Sequence, residues 1–216
     1  MIVVGLDLGQ AADFTALSAV EVMNERIDND SQGRPQFDMY CDVRHLQRFE
    51  LNTGYPEIVR RASLMMNTPQ LTGKSILVPD ATGVGRPVVD LLRAEKLRLM
   101  PITITFGGKA VFDVDTGYWN VPKRELVSNL QILFGNHRLR FANGLQDKDT
   151  VIKELMNFRI KITGKANDTY EAWREGDHDD LVLSVAMACW YAVKFGKEKI
   201  QPITKLSPLV RMKGVL

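Results

Sequence analysis

The chain has 216 residues, 45% of them hydrophobic and 25% charged, with a net charge of +2. That is enough chain to bury most of its surface around one core, and the balance is that of an ordinary globular protein. No run approaches the roughly 18 consecutive apolar residues that cross a bilayer, and no basic leader with a small-residue cleavage site opens the sequence, so it reads as a cytosolic chain without a membrane role.

Ile2, Val3, Val4, Leu6 and Leu8 form an apolar, β-branched run suited to a central strand covered on both faces. One acid, Asp7, interrupts it, flanked by Gly5 and Gly9. Residues 10–13 read as a tight turn, and Thr15 to Val22 as a second strand. Asn24 to Pro35 (NERIDNDSQGRP) is a polar hairpin link, and Gln36 to Phe49 resumes strand character. Helical spacing of Ile58, Val59, Ala62, Met65 and Met66 predicts a helix over Tyr55 to Met66. SILVP, Ser75 to Pro79, is a short buried strand, followed by a helix from about Arg86 to Ala94 and a strand over Leu99 to Thr105. Phe106 to Asn120 is rich in glycine and aromatics without a period. A helix follows over Val121 to Phe134, then a short strand at His137 to Phe141 and a helix over Thr150 to Phe158. Arg159 to Trp173 reads as a polar hairpin, and a strongly apolar helix runs from about His178 to Val193. The last stretch carries Lys197, Lys199, Lys205, Arg211 and Lys213 against Glu198 alone. Residues 1–195 are therefore expected to form one domain, and 196–216 a basic tail.

Three antiparallel strands followed by parallel βα units, with helices on both faces, describe a mixed α/β sandwich of the ribonuclease H type. Cys41 and Cys189 lack metal-ligand spacing, and Cys189 falls within the apolar helix pattern as a core filler. The Gly73-Lys74-Ser75 triplet has the ending of a phosphate-binding loop. The glycine required five residues before Lys74 is Pro69, and the triplet precedes a strand instead of following one, so it is set aside.

The acids carry the chemistry. A carboxylate in a buried strand costs several kcal/mol unless a cation or hydrogen bonds meet it, so either Asp7 sits at the strand's mouth facing a ligand or the strand reading fails there and Asp7 is a solvated acid at a strand end or turn. Asp80 ends a second buried strand and lies too far before the next helix to cap it. Asp177, His178, Asp179 and Asp180 open the most apolar helix in the sequence. Acids there suit the helix dipole, but three acids and a histidine exceed what a cap requires. Magnesium and manganese prefer oxygen ligands, and two such ions about 4 Å apart activate a water and stabilise a departing oxygen in phosphodiester hydrolysis. In that arrangement Asp7 bridges two divalent cations, while Asp80 and Asp179 or Asp180 hold one each.

In this order and at these separations, GLDLGQAADFTAL, ILVPDATGVGRPVVDLL and GDHDDLVLSVAMA resemble the nuclease domain of phage large terminase subunits. VPKRELVSNLQILFGNHRLRF resembles the segment between that family's second and third acidic motifs. The likeness runs from about Val3 to Val193. It implies a ribonuclease H-like fold and cleavage of concatemeric double-stranded viral DNA in the cytoplasm of a bacterial host, dependent on two Mg2+ or Mn2+ ions. It also implies a packaging ATPase, a small terminase and a portal as partners. Matched by motif, the metal ligands are Asp7, Asp80 and the Asp179–Asp180 pair, with Asp180 preferred by its spacing to the apolar helix. His178 is a candidate proton shuttle or outer group. Large terminases carry an upstream packaging ATPase that this sequence lacks, so it is expected to be an excised domain or a free-standing relative.

Lys109, Lys123, Arg124, Arg138 and Arg140, with Tyr118 and Trp119, are the candidates for a groove that tracks a DNA backbone. Nothing resembles a base-reading helix, so weak sequence preference is expected. Two other readings use the same residues. A Holliday-junction resolvase would share the acids and act as a dimer. An actin- or sugar-kinase-type nucleotide-binding protein would use Gly5 to Gly9 and Asp80 to Gly85 as phosphate loops, but needs a longer chain and leaves residues 177–180 without a role.

Overall fold

The computed structural model describes residues 1–9, 13–163 and 179–196. Strand β1 (Ile2–Asp7) lies inside a five-stranded sheet, between antiparallel β2 (Ala16–Asn29) and parallel β4 (Ser75–Pro79). β3 (Pro35–Arg48) pairs antiparallel to β2, and β8 (Leu139–Phe141) adds in parallel to β3, giving the order β4-β1-β2-β3-β8. This is the expected mixed sheet. A second sheet of β5 (Ile102–Thr105), β6 (Val111–Asp113) and β7 (Tyr118–Pro122), ordered β5-β7-β6, joins the first through parallel bridges Leu77–Leu99 and Asp80–Ile102.

The period of two in β1 divides the molecule. Val4, Leu6 and Leu8 pack under α1 (Tyr55–Met66) and α2 (Gly85–Ala94) with Ile58, Ala62, Val88 and Leu92. Val3 faces the other layer, built from α3 (Lys123–Gly135), α4 (Lys148–Thr163) and α5 (Asp180–Phe195). Asp7, four residues on from Val3, shares that second face by alternation.

The sequence predicts one packed face on α5, through Leu183, Ala186, Met187 and Trp190. Every residue from Asp180 to Ala192 is buried, because α5 lies against the sheet with α3 and α4 around it. The approach to β1 is close enough to require glycine: a Cβ on Gly5 would stand 1.9 Å from the Ser184 carbonyl oxygen. Cys41 and Cys189 meet in this core. Their hydrogen bond and burial push the Cys189 thiol well above its usual range.

Three elements differ from expectation. The polar segment read as a link belongs to the hairpin arms, so β2 and β3 are 14 residues each and only residues 30–34 turn. Beyond Val22 the paired arms extend past β1, where both faces meet solvent and no apolar alternation is needed. Phe106 to Asn120 contains β6 and the start of β7, a hairpin whose short strands hide among glycines. α4 continues to Thr163 through residues read as the start of a polar hairpin. The remainder of that reading, and the basic tail from 197 onward, lie outside the described residues.

Candidate metal centre

Asp7 is the last residue of β1 and Asp80 follows β4, so the parallel register carries both to the carboxyl ends of neighbouring strands. The Asp80 N–H donates to the Leu6 carbonyl at 2.8 Å, tying the two positions through the main chain. Asp180 is the first residue of α5 and Asp179 the one before it; α5 brings both over the end of β1. Asp7, Asp80 and Asp180 are 7%, 8% and 5% exposed.

Burial pushes the Asp7 carboxyl well above the usual carboxylate range, and the charges of Asp80, Asp180 and Asp179 push the same way against Lys123. Burial also raises Asp80. Opposing it, the Thr82 hydroxyl and N–H donate to Asp80 Oδ1 at 2.5 and 2.8 Å. Cationic side chains stand among the acids. Lys123 Nζ, on the first turn of α3, donates to Asp179 Oδ2 at 2.8 Å. Arg48, the last residue of β3, donates through Nη2 to Glu154 Oε1 on α4 and lies 3.5 Å from Asp180 Oδ2, with its guanidinium over the Phe14 ring. The other Glu154 oxygen accepts the Val182 N–H at 3.0 Å. Burial raises the Glu154 carboxyl to about 7, against that bond and Arg48.

Among the described residues, no three acidic, histidine or cysteine side chains close into a ready cation cage, since Asp179 and Asp180 face Lys123 and Arg48. The donor set is nonetheless all carboxylate, the chemistry of hard cations. The buried Asp7, pressed by three acidic neighbours, is where added positive charge would be most favourable.

No family model matches the chain. The terminase large subunits of Thermus virus P23-45 and Thermus phage G20c are each 26% identical over 195 residues, covering 90% of this chain. The match takes in 32% of each relative, so the chain spans about a third of their length. The crystal structure of the large terminase nuclease from thermophilic phage G20c, with bound zinc, superposes with a TM-score of 0.50 and 22% identity, over 89% of this chain and 80% of that one. The chain has the fold of a large terminase nuclease domain.

Within this terminase-type nuclease fold, the three acidic motifs meet at one end of the sheet. His178 lies outside the described residues. The basic candidates divide into two groups. Lys123 stands among the acids; Lys109 and Arg124 are exposed nearby in sequence, with Arg124 donating to the Gly108 carbonyl at 3.1 Å. Arg140 sits on β8 and Arg138 just before it, at the sheet edge opposite β4, where Arg138 pairs with Asp38 and Arg140 donates to Asp42 and Glu25, each at 2.6 Å. Tyr118 is buried, and Trp119 stacks edge-on against Trp190 and Phe195, so both aromatics serve packing. Sequence reasoning missed Arg48 and Glu154. The available signal was Glu154 itself, which falls beside Leu155 and one turn after Val151 on the apolar side of its helix.

Proposed function

We propose that this chain is a metal-dependent endonuclease that hydrolyses DNA phosphodiester bonds and cuts concatemeric viral DNA during genome packaging. The observation that carries the reading is the burial of Asp7 beside the carboxylates of Asp80, Asp179 and Asp180, at the carboxyl ends of two parallel strands. Ligands of open α/β sheets collect there. Asp7, Asp80 and Asp180, with Asp179 beside them, would hold the two divalent cations. Bound there, the ions supply an activated water and a stabilised leaving oxygen. Thr82 fixes one Asp80 oxygen and leaves the other for a ligand. Lys123, already at the acids, is positioned to meet an arriving phosphate, and Lys109 and Arg124 extend positive charge outward along the same segment.

Zinc in the G20c nuclease supports a cation site in this fold, while the carboxylate donors here favour magnesium or manganese. The relatives, named terminase large subunits of a Thermus virus and a Thermus phage, support a DNA substrate and a place in packaging machinery; on this reading the substrate would be double-stranded DNA, the partners a packaging ATPase, small terminase and portal, and the setting the cytoplasm of a bacterial host. The deciding experiment is plasmid cleavage by the purified chain. Nicking or linearisation with Mn2+ or Mg2+, none in chelator, and none by Asp7→Asn or Asp80→Asn protein that is still folded is the expected result. Full cutting by either variant, with contaminating nuclease excluded, overturns the assignment.

A further inference from the structure

We propose that Arg48 and Glu154 form the positioning element of this centre, holding the Asp180 carboxylate and the first turn of α5 against β1. The inference rests on the metal-centre reading of Asp180 and goes beyond it to residues outside all three acidic motifs.

The three side chains come from separate parts of the chain: the end of β3, the middle of α4 and the start of α5. Glu154 is 7% exposed and divides its two oxygens between them. Oε2 takes the Val182 N–H, one of the amides that a helix start leaves without an intrahelical partner. Oε1 takes Arg48 Nη2, and the same nitrogen lies 3.5 Å from Asp180 Oδ2. The N-cap residue Asp179 makes no side-chain capping bond to α5, and among the described residues Glu154 supplies one from another helix. Arg48 occupies this place although its Nε is buried without a hydrogen-bond partner among the described residues. The arrangement lets one carboxylate fix both the helix carrying Asp180 and the cation that steadies it. Metal ligands depend on such outer partners for orientation.

The test uses the full chain with Glu154→Gln, Arg48→Ala and Arg48→Lys. Folding is checked by circular dichroism and melting temperature in chelator, Mn2+ binding by calorimetry without DNA, and plasmid cutting against Mn2+ concentration. Glu154→Gln and Arg48→Ala are expected to remain folded and to weaken Mn2+ binding about 10–100-fold, with half-maximal cutting moving to higher Mn2+ by a similar factor. Arg48→Lys, which keeps the charge but not the two-sided reach, recovers part of that loss. Melting temperatures that fall while Mn2+ affinity stays at the wild-type value would make the pair structural only and overturn the proposal. If wild-type protein itself neither binds Mn2+ nor cuts, the failure belongs to the metal-centre reading instead.

Discussion

Two buried acidic regions of this molecule treat the same side chain in opposite ways. On the β2–β3 hairpin, Asp42 is 6% exposed and receives Arg44 at 2.8 Å and Arg140 at 2.6 Å, while Glu21 is 7% exposed and receives Arg44 at 2.9 Å. At the ends of β1 and β4, Asp7 is buried to the same extent, yet its neighbours are three more carboxylates opposed by Lys123. Burial alone does not distinguish a structural acid from a functional one. The sign of the surrounding charge does.

The largest break in that comparison comes from Asp7→Asn. Removing the central charge should drop cutting to the chelator background and, in metal-free protein at pH 8, raise the melting temperature, because a buried repulsion is removed. Plasmid assays and calorimetry check both; a lower melting temperature would mean that Asp7 is already well compensated. Next in size is Gly5→Ala, whose Cβ has no room below the Ser184 carbonyl. Overpacking of this kind costs about 1–3 kcal/mol, and each kcal/mol lowers the melting temperature of a chain this size by about 2–4 °C. Cutting should fall with it, since α5 carries Asp180.

The pH dependence of stability sharpens the contrast. Asp7 and Glu154 both hold protons more tightly folded than unfolded, Glu154 up to about 7. The stability they contribute is therefore complete on the acid side of the ordinary carboxylate range and is lost as pH rises through their folded values. Chelated protein should melt at a higher temperature at pH 5 than at pH 8, and saturating Mn2+ should shrink the difference by replacing the protons. A flat profile in chelator would contradict the charge balance described for the site. The smallest effect belongs to the hairpin. Arg140→Ala should destabilise by about 1–2 kcal/mol, through charged hydrogen bonds to Asp42 and Glu25, and leave cutting and DNA affinity unchanged. A marked loss of DNA binding by that variant would instead place the β8 edge on the DNA path.

The sequence made the centre of the fold legible where local pattern and tertiary context agree. β1 and β4 are apolar runs each closed by an aspartate, and the most apolar helix begins with a cluster of acids, so the elements and their acids could be read together. The outer hairpin was legible only in part, because arms solvated on both faces lose the alternation that marks a strand. β6 and β7 were hidden for a different reason: their strands are short and lie among glycines, and the partners of their aromatics are distant in sequence, Trp190 and Phe195 on α5 for Trp119 and Ala81 and Val89 for Tyr118. Arg48 and Glu154 are separated by 106 residues, and no spacing rule joins them. Their partnership is a product of the assembled layers alone.

The backbone around Gly5 is paired on both sides and roofed by the main chain of α5. Its amides should be the last to exchange with deuterium, while those at the hairpin tip exchange early. The carboxylate that this strand carries thus rides on the slowest-opening part of the molecule. If the chain cuts DNA as proposed, heat should not inactivate it by loosening its centre ahead of the rest; loss of cutting and global unfolding should follow one curve.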